Sequence, residues 1–124
     1  MTIFIIVIGL IIDRFTKIWA MNSLSKISEI TIIKDFFSLL YIQNKGAAFG
    51  IFQDKTIFLT IASIIVMSFI VYYIIKISLK ISCKISLSLI ISGALGNLID
   101  RIKYRYVVDF ISIHYKEIYY FPYI

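Results

Sequence analysis

The sequence predicts an all-α integral membrane bundle with a small β-structured region outside the bilayer. The 124 residues are 60% hydrophobic and have a mean hydropathy of +0.94, whereas soluble domains are typically about 45–50% apolar. The apolar residues also form long runs rather than the alternating pattern of half-buried strands. The length suits one compact bundle, so we expect a single domain over residues 1–124.

Two of the three predicted spans are uncharged runs. Residues 56–75 give the clearest span, because a membrane helix needs about 20 mostly apolar residues. The third predicted span, residues 85–100, is uncharged over a shorter stretch and ends at Asp100. With tilt and polar flanks it is still able to cross a bilayer. Residues 76–84 connect these two spans.

The first predicted span covers residues 3–21 and carries charge. Its apolar start, residues 3–12, would cover only about 15 Å as a helix. The span therefore continues past Asp13 and holds that carboxylate inside or near one interface. No basic segment precedes the apolar run and no small-residue cleavage pattern follows it. We interpret the segment as a retained helix rather than a cleaved signal peptide.

The segment between the first two spans, residues 22–55, predicts β-structure. Residues 27–41 mix β-branched and aromatic side chains with charges, which is typical of a short hairpin outside the bilayer core. Gly46 and Gly50 then bracket Ala47-Ala48-Phe49, a turn of small residues where the backbone can approach a ligand or a helix closely.

Charge predicts the orientation of the bundle. Residues 76–84 hold Lys76, Lys80 and Lys84 and no acidic residue, which marks a cytoplasmic connection. The N-terminus is then cytoplasmic, and residues 22–55 and 101–124 lie on the outer, periplasmic-type face. The interleaved aromatic residues after Asp109 fit a belt at the lipid headgroups, and Pro122 ends any helix there.

The net charge of +6 would suit nucleic acid in a soluble protein. Here most lysines flank apolar segments, so we expect membrane lipids rather than nucleic acid as the partner. The single cysteine, Cys83, cannot form an internal disulfide, and with one histidine, His114, no Cys and His metal set is available. We favour an interfacial role for His114 over a catalytic one.

Two aspartates near one apolar–water boundary are the main candidates for chemistry. Asp100 and Asp109 are predicted to lie on the same outer face, and spacing alone allows them to pair. In such a pair one carboxylate takes a proton from water while the protonated one polarises a carbonyl. The alternative for Asp100 is a structural charge pair with adjacent Arg101. Asp109 has apolar neighbours, which favour a raised pKa and a catalytic or binding role.

Five further polar or small positions are candidate support residues. Unpaired Asp13 in a helix centre would cost roughly 2.5–3.5 kcal/mol, so it forms an ion pair with a nearby base, Arg14 or Lys17, or supports a polar site. Asn44 and Asn97 either orient an aspartate or substrate, or join helices by hydrogen bonds. Gly93 and Gly96 are expected to permit close helix packing.

Four segments in order resemble one family. Asp13-Arg14-Phe15-Thr16-Lys17 resembles an Asp-x-x-Thr-Lys signature, and the segment from Asn44 to Gly50 resembles Asn-x-Gly-Ala-Ala-Phe. The segment from Gly96 to Arg101 resembles Gly-Asn-x-x-Asp-Arg, and Val107-Val108-Asp109-Phe110 resembles Val-Val-Asp-Phe. Each motif is weak alone, but together they resemble the lipoprotein signal peptidases (signal peptidase II), aspartyl proteases of the bacterial inner membrane.

The resemblance implies a four-span, multi-pass enzyme with a periplasmic β-cradle and its active site at the periplasmic face. It would cleave the signal peptide of diacylglyceryl-modified prolipoproteins before the lipidated cysteine, as a monomer without cofactor or metal. Asp109 would be catalytic, and its partner would come from a later Phe-Asn-x-Ala-Asp motif rather than from Asp100. The implied support and substrate-binding residues are Asp13, Asn44, Gly46, Asn97, Asp100 and Arg101.

Two departures from the family pattern bear on function. Arg105 stands where the family usually has glycine, so a positive φ there would be strained. The last residues look like the lead-in to the Phe-Asn-x-Ala-Asp motif, which places the second aspartate four positions past Ile124, with the fourth span after it. A chain ending at Ile124 is therefore expected to be inactive or nearly so.

Two other functions are compatible with parts of the sequence. One is a non-catalytic membrane remnant that still binds lipoprotein precursors. The other is a small transporter subunit that uses Asp13 and Asp100 in a proton path. The transporter hypothesis leaves the four ordered motifs unexplained.

Overall fold

A computed structural model describes residues 1–46, 52–116, 119–120 and 124. Three long helices dominate it: α1 (Thr2–Asn22), α2 (Thr56–Lys76) and α3 (Ile81–Tyr104). A short 3-10 turn (Leu24–Lys26) follows α1. The strands are β1 (Ile30–Ile33), β2 (Phe37–Asn44), β3 (Val107–Tyr115) and β4 (Tyr119–Tyr120). The predicted turn Ala47-Ala48-Phe49, with Gly50, lies outside the described residues.

The three helices cover the segments predicted as spans. Helices α1 and α2 match the first two to within a residue or two, and α3 covers the predicted third span, 85–100, and extends four residues beyond it at each end. Serine and lysine near its start do not break a helix, so Lys84 lies within α3. The loop between α2 and α3 is residues 77–80, which fall within the predicted connection 76–84.

Within the described residues, α2 and α3 are the helices long and apolar enough to cross a bilayer. The only buried residue of α2 is Met67, and its exposed side chains include Ile57, Phe69 and Ile75, each more than 70% exposed. A helix that is apolar on every side suits lipid rather than water. Helix α1 has the same length as α2 but carries three charged residues.

Helices α1 and α3 pack closely because a glycine lies at the helix contact at two positions along their length. A Cβ at Gly9 of α1 would collide with Ser92 of α3, and a Cβ at Gly96 of α3 would collide with the carboxylate of Asp13 of α1. The prediction of close packing is confirmed for Gly96. It is wrong for Gly93, which is exposed with open space where its Cβ would be. Helix α2 packs on α3 rather than on α1.

The strands form an antiparallel sheet in the order β1-β2-β3-β4. The β1–β2 hairpin falls in the region predicted to be β-structured, and Asp35 (φ 61°) occupies a left-handed position in its turn, which aspartate tolerates better than most residues. Strand β3 was not predicted, because its alternating aromatic and polar residues were interpreted as a headgroup belt. It pairs with β2 over six residue pairs.

The sheet lies at the end of the bundle where α1 and α3 end. Ala20 of α1, Leu24 of the following turn and Val108 of β3 form a buried apolar cluster that fixes the sheet to α1. The loop with Lys80 lies at the opposite end of the long helices α2 and α3. The sheet therefore presents β3 to the end of α3, where the candidate aspartates meet.

Candidate active site

Helix α3 ends in a turn that sends the chain back toward it as β3. Arg105 ends the helix in the left-handed conformation (φ 64°, ψ 17°), and its N–H donates to the carbonyl of Arg101 (3.0 Å). The positive φ anticipated at this non-glycine position is therefore present. Two residues later β3 begins, so Asp109 lies beside the last turns of α3.

Asp109 is a buried carboxylate held by a single amide. Its side chain is in a residue only 8% exposed, and Asn44 Nδ2 donates to Asp109 Oδ2 (3.0 Å). Asp109 pairs with Ile42 across β2 and β3 while Asn44 pairs with Val107, so the two side chains are diagonal neighbours on one sheet face. Asn44 Oδ1 in turn accepts the N–H of Gly46 (2.9 Å).

Burial is the main influence on the ionisation of Asp109. It raises the pKa of this carboxyl above its ordinary 3.8, and the negative charge of Asp100 raises it further. The hydrogen bond from Asn44 and the positive charges of Lys17 and Arg101 oppose the shift without cancelling it. A carboxylate with a raised pKa is a better base near neutral pH than a solvated one.

Asp100 lies close to Asp109 in sequence and space but has a different environment. It is 0% exposed. Its Oδ1 lies 2.7 Å from Arg14 Nη2 and its Oδ2 lies 2.9 Å from Lys17 Nζ. Asp100 Oδ2 also accepts the backbone N–H of Val108 (3.0 Å). The structural charge pair considered for Asp100 therefore exists, but its partners are on α1, and the predicted pairing with Arg101 is wrong.

Asp13 completes a cluster of four charges that joins α1 to α3, in which Lys17 and Asp100 are buried and Asp13 and Arg14 are partly exposed. Arg14 Nη2 lies 2.8 Å from Asp13 Oδ2, and Lys17 Nζ lies 3.3 Å from Asp13 Oδ1. Two carboxylates thus share two cations. The ion pair considered for Asp13 is therefore present, with both candidate bases, and its support of a polar site stays a prediction. Arg14 was considered only as a local partner of Asp13, and its reach to α3 was missed.

Asn97 acts on the same cluster rather than on an aspartate. Its Oδ1 accepts a hydrogen bond from Lys17 Nζ (2.9 Å), and the carbonyl of Gly96 accepts one from Arg14 Nη2 (2.9 Å). These contacts are interhelical hydrogen bonds, one of the two roles predicted for Asn97. They hold both cations in position to face Asp100.

Arg101 points away from the cluster toward α2. Its Nη1 donates to Ser63 Oγ at a long 3.4 Å. Its charge nevertheless acts on Asp109, where it opposes the rise of the pKa. Arg101 therefore borders the site from the α2 side and is held there only weakly.

A tyrosine pair missed by the sequence analysis lies on the other side of the turn. The hydroxyls of Tyr41 on β2 and Tyr106 are 3.4 Å apart, and Gln43 Nε2 donates to Tyr41 (3.3 Å). The hydrogen bond with Tyr41 is the main cause that raises the pKa of Tyr106 to about 12. Neither tyrosine stood out in the sequence because their contact depends on the unpredicted pairing of β2 with β3.

No group of three or more His, Cys, Asp or Glu side chains that could hold a metal occurs in the part of the chain described here. His114 lies in β3, where its backbone N–H donates to the carbonyl of Phe36 (2.8 Å) and joins the strand to the hairpin turn.

A bundle of apolar helices with a buried carboxylate at one end is the arrangement expected of a membrane enzyme. Solved structures support this class. The chain is similar to a bacterial membrane enzyme with a TM-score of 0.85 and 32% identity, covering 98% of this chain and 76% of the other. A second bacterial membrane enzyme gives a TM-score of 0.80 and 33% identity, with 98% and 80% covered.

The particular family follows from the sequence comparisons. The family model for signal peptidase (SPase) II matches residues 5–124, and the chain belongs to this family. A protein of Clostridium tetani named lipoprotein signal peptidase is 61% identical over 125 residues, which cover 98% of this chain and 79% of the relative. A protein of Clostridium acetobutylicum with the same name is 53% identical, with 98% and 80% covered.

Proposed function

We propose that this protein removes signal peptides from diacylglyceryl-modified prolipoproteins by aspartyl-type hydrolysis, before the lipidated cysteine. Membership of the signal peptidase II family supports a protease, and the relatives named lipoprotein signal peptidase support the substrate class. The observation that carries the aspartic mechanism is Asp109: a buried carboxyl of raised pKa, held by one amide.

In this mechanism Asp109 is the base. Its ionised form accepts a proton from the attacking water, and the raised pKa strengthens that step. Asn44 holds the Oδ2 oxygen and leaves the other oxygen available to the water. A second carboxyl group, protonated, polarises the scissile carbonyl and then protonates the leaving amine.

Asp100 is unsuited to be the second carboxyl group. Both of its oxygens are taken: Oδ1 faces Arg14, and Oδ2 faces Lys17 and the Val108 amide. Neither oxygen is therefore free to bind a scissile carbonyl. The proposed mechanism takes its second carboxyl group from the later Phe-Asn-x-Ala-Asp motif that the family resemblance implies.

The remaining proposed site residues fall into two groups, one close to Asp109 and one further from it. Asn44, with its oxygen fixed by Gly46, is a positioning residue for Asp109, and Arg101 borders the space where substrate would lie. Asp13, Asn97 and Asp100 act further away, through the charge cluster and the Val108 amide. The mechanism requires no cofactor.

We place the protein in the bacterial inner membrane with three spans: α1, α2 and α3. Helix α1 carries three charges, but each of them has a partner inside the bundle, which lowers the cost of immersion. The lysine-bearing loop at the other end of α2 and α3 favours a cytoplasmic N-terminus and a periplasmic active site. Membrane lipids are the other partners, and we propose that the protein acts as a monomer.

The comparisons give no support to the two other functions considered. The relatives quoted above are named as peptidases. Neither a remnant that only binds precursors nor a proton-coupled transporter subunit would be expected to have such relatives. Asp100, the acid proposed for a proton path, is 0% exposed and bound by two cations. Such a carboxylate is poorly suited to exchange protons with water.

A cleavage assay tests the proposal with three proteins in detergent: the 124-residue chain, the same chain extended past Ile124 by the segment that follows in the Clostridium tetani relative, and the extended chain with Asp109→Asn. The substrate is a diacylglyceryl-modified prolipoprotein. We expect cleavage by the extended chain and little or none by the other two. Precursor binding without cleavage by the extended chain would favour the non-catalytic function, and cleavage by the Asp109→Asn protein would refute the role of Asp109.

A further inference from the structure

A cleft beside the site is lined by four cations, and the proposed hydrolysis gives a role to Arg101 alone among them. It lies between the start of α2 and the end of α3 and has a volume of about 780 Å³. Its charged lining consists of Lys45, Lys55, Arg101 and Arg105, with Asp54 as the single carboxylate. We call this space the basic cleft.

Two backbone-anchored hydrogen bonds hold the walls of the basic cleft together. The hydroxyl of Thr56, the first residue of α2, donates to the carbonyl of Arg105 just past α3 (3.2 Å). The N–H of Asp54 donates to the carbonyl of Lys45 at the end of β2 (3.2 Å). The cleft is therefore a built feature that joins three elements, rather than a gap between independent ones.

The positive charge of the cleft is only partly offset by the described part of the protein. Asp54 is the one carboxylate in its lining, the charges of Asp100 and Asp109 act on Arg101, and none of the ion pairs found among the described residues involves the four cations. The first residues of α2 also line the cleft, and no side chain caps that helix end. An anion in the cleft would meet both the side-chain charges and the positive end of the helix dipole.

The other part of the lining is apolar. Ile57 and Ile61 of α2 and Ile102 of α3 face the cleft and are 77%, 53% and 68% exposed. They lie on the helices that are apolar enough to cross a bilayer. A cleft lined by both cations and exposed isoleucines matches a molecule with a phosphate headgroup and acyl chains.

We propose that the basic cleft binds the phosphate headgroup of an anionic phospholipid, with an acyl chain along Ile57, Ile61 and Ile102. The diacylglyceryl group of the proposed substrate is uncharged, so the cations are not explained by that substrate. The inference does not depend on the hydrolysis, because it rests on charge and shape alone. It makes the cleft a lipid site that borders the catalytic one through Arg101.

The test measures lipid binding to the detergent-purified protein by native mass spectrometry. Phosphatidylglycerol is titrated against phosphatidylcholine of the same chains, and the dissociation constant of the first bound lipid is compared. The double variant Lys55→Gln/Arg105→Gln removes two cleft charges without touching a proposed catalytic residue. We expect its affinity for phosphatidylglycerol to fall about 30-fold, which corresponds to ~1 kcal/mol per cation, with little change for phosphatidylcholine.

Two further variants separate the cleft from general charge. Lys26→Gln/Lys34→Gln removes two exposed lysines outside the cleft, in the turn after α1 and in the β1–β2 turn, and should leave the affinity unchanged. Lys55→Arg/Arg105→Lys keeps the charges and should retain binding, which also shows that a loss is not misfolding. An equal loss in the Lys26/Lys34 control, or no loss in the cleft variant, would overturn the proposal.

Inorganic phosphate tests whether the cleft binds a lipid headgroup or a soluble phosphate. Added at millimolar concentration, it should not displace phosphatidylglycerol, because it lacks the acyl chain that contacts the isoleucines. Displacement of phosphatidylglycerol by inorganic phosphate at the same molar concentration as the lipid would assign the cleft to a soluble phosphate and overturn the lipid part of the proposal. Asp54→Asn should tighten phosphatidylglycerol binding by removing the one opposing charge, and weaker binding would count against the cleft.

Discussion

Asp100 and Asp109 are nine residues apart in the sequence and nearly equally buried, yet their surroundings are opposite. Asp100 faces two cations and one backbone amide, so its negative charge is compensated on every side. Among the described residues Asp109 has one hydrogen-bond donor, Asn44, and its pKa is raised by burial. The first carboxylate thus lies between two cations, whereas the second lies in an environment that penalises its charge.

The difference teaches that burial of a carboxylate does not by itself identify a catalytic group. Asp100 contributes to structure because its partners use its charge to join α1, α3 and β3. Asp109 is suited to the proposed role of base because its partners leave its charge incompletely compensated. The Val108 amide connects the two, since Asp100 fixes the backbone immediately before Asp109.

The largest expected effect is on turnover, from Asp109→Asn. Removing the base should lower cleavage of a diacylglyceryl-modified prolipoprotein by about 10⁴-fold or more, because the members of a catalytic unit fail together. Single-turnover cleavage by the protein extended past Ile124 measures it. A loss of less than tenfold would contradict the proposed difference between Asp109 and Asp100, since it would show that Asp109 is no more important for cleavage than a support residue.

The same variant sharpens the comparison through pH. Because the pKa of Asp109 is raised in the folded state, protonation of this carboxyl stabilises the folded protein. That stabilisation is complete below the ordinary pKa of 3.8 and is lost as pH rises through the raised pKa. We therefore expect Asp109→Asn to be at least as stable as the parent at neutral pH, with the advantage disappearing on acidification below about pH 4. Thermal unfolding across this range in detergent gives the answer.

The next largest effect is on stability, from Asp100→Asn. The change leaves Arg14 and Lys17 with one carboxylate, Asp13, and should cost about 3–5 kcal/mol, as is typical when one partner of a buried ion pair is removed. The thermal unfolding midpoint is the measurement. Asp54→Asn, at an exposed aspartate, serves as the matched control and should change stability by no more than about 0.5 kcal/mol. Equal effects would show that the charge cluster does not hold the fold.

A smaller loss is expected from Gly96→Ala. The new methyl group would collide with the Asp13 carboxylate, which is pinned by Arg14 and Lys17, and overpacking of this kind costs about 1–3 kcal/mol. Gly93→Ala is the control, because a Cβ there has open space. The pair is compared by unfolding midpoint, and a tolerated Gly96→Ala would show that Asp13 is free to move.

The smallest effect is a gain, from Arg105→Gly. Arg105 has a φ of 64°, a region that glycine enters without the penalty a side chain brings. Relief of that strain should raise the free energy of unfolding by about 0.5–1 kcal/mol. Arg105→Ala also removes the charge but keeps the Cβ, so it should not stabilise. A gain in both variants would mean that charge repulsion, rather than backbone strain, was relieved.

Local sequence patterns predicted the parts of the fold that depend on local composition. The bounds of α1 and α2 follow from apolar runs, and the β1–β2 hairpin follows from β-branched residues around a short turn. Strand β3 was missed because its pairing with β2 joins residues far apart in the sequence, such as Phe37 and Ile113, which are 76 positions apart. Alternation within Val107–Tyr115 was equally consistent with an aromatic belt at the membrane surface.

The same distinction applies to the site. Asp109 was identified from its apolar neighbours, which predict desolvation, and the structure shows that effect. The partners of Asp100 were mistaken, because Arg101 is adjacent in sequence whereas Arg14 and Lys17 reach it across the α1–α3 contact. The spacing of Arg14 and Lys17 after Asp13 predicts that all three lie on neighbouring turns of one helix. It does not predict which other helix they face.

The charge cluster also has a consequence for how the protein is made. As the first proposed span, α1 enters the membrane with Asp13, Arg14 and Lys17 and one carboxylate too few for its two cations. Asp100, which corrects the imbalance, arrives only when α3 has been synthesised. Each ionised group at a helix centre opposes insertion by about 2.5–3.5 kcal/mol. If α1 spans the membrane as proposed, its two cations are therefore fully matched by carboxylates only after α3 has been synthesised.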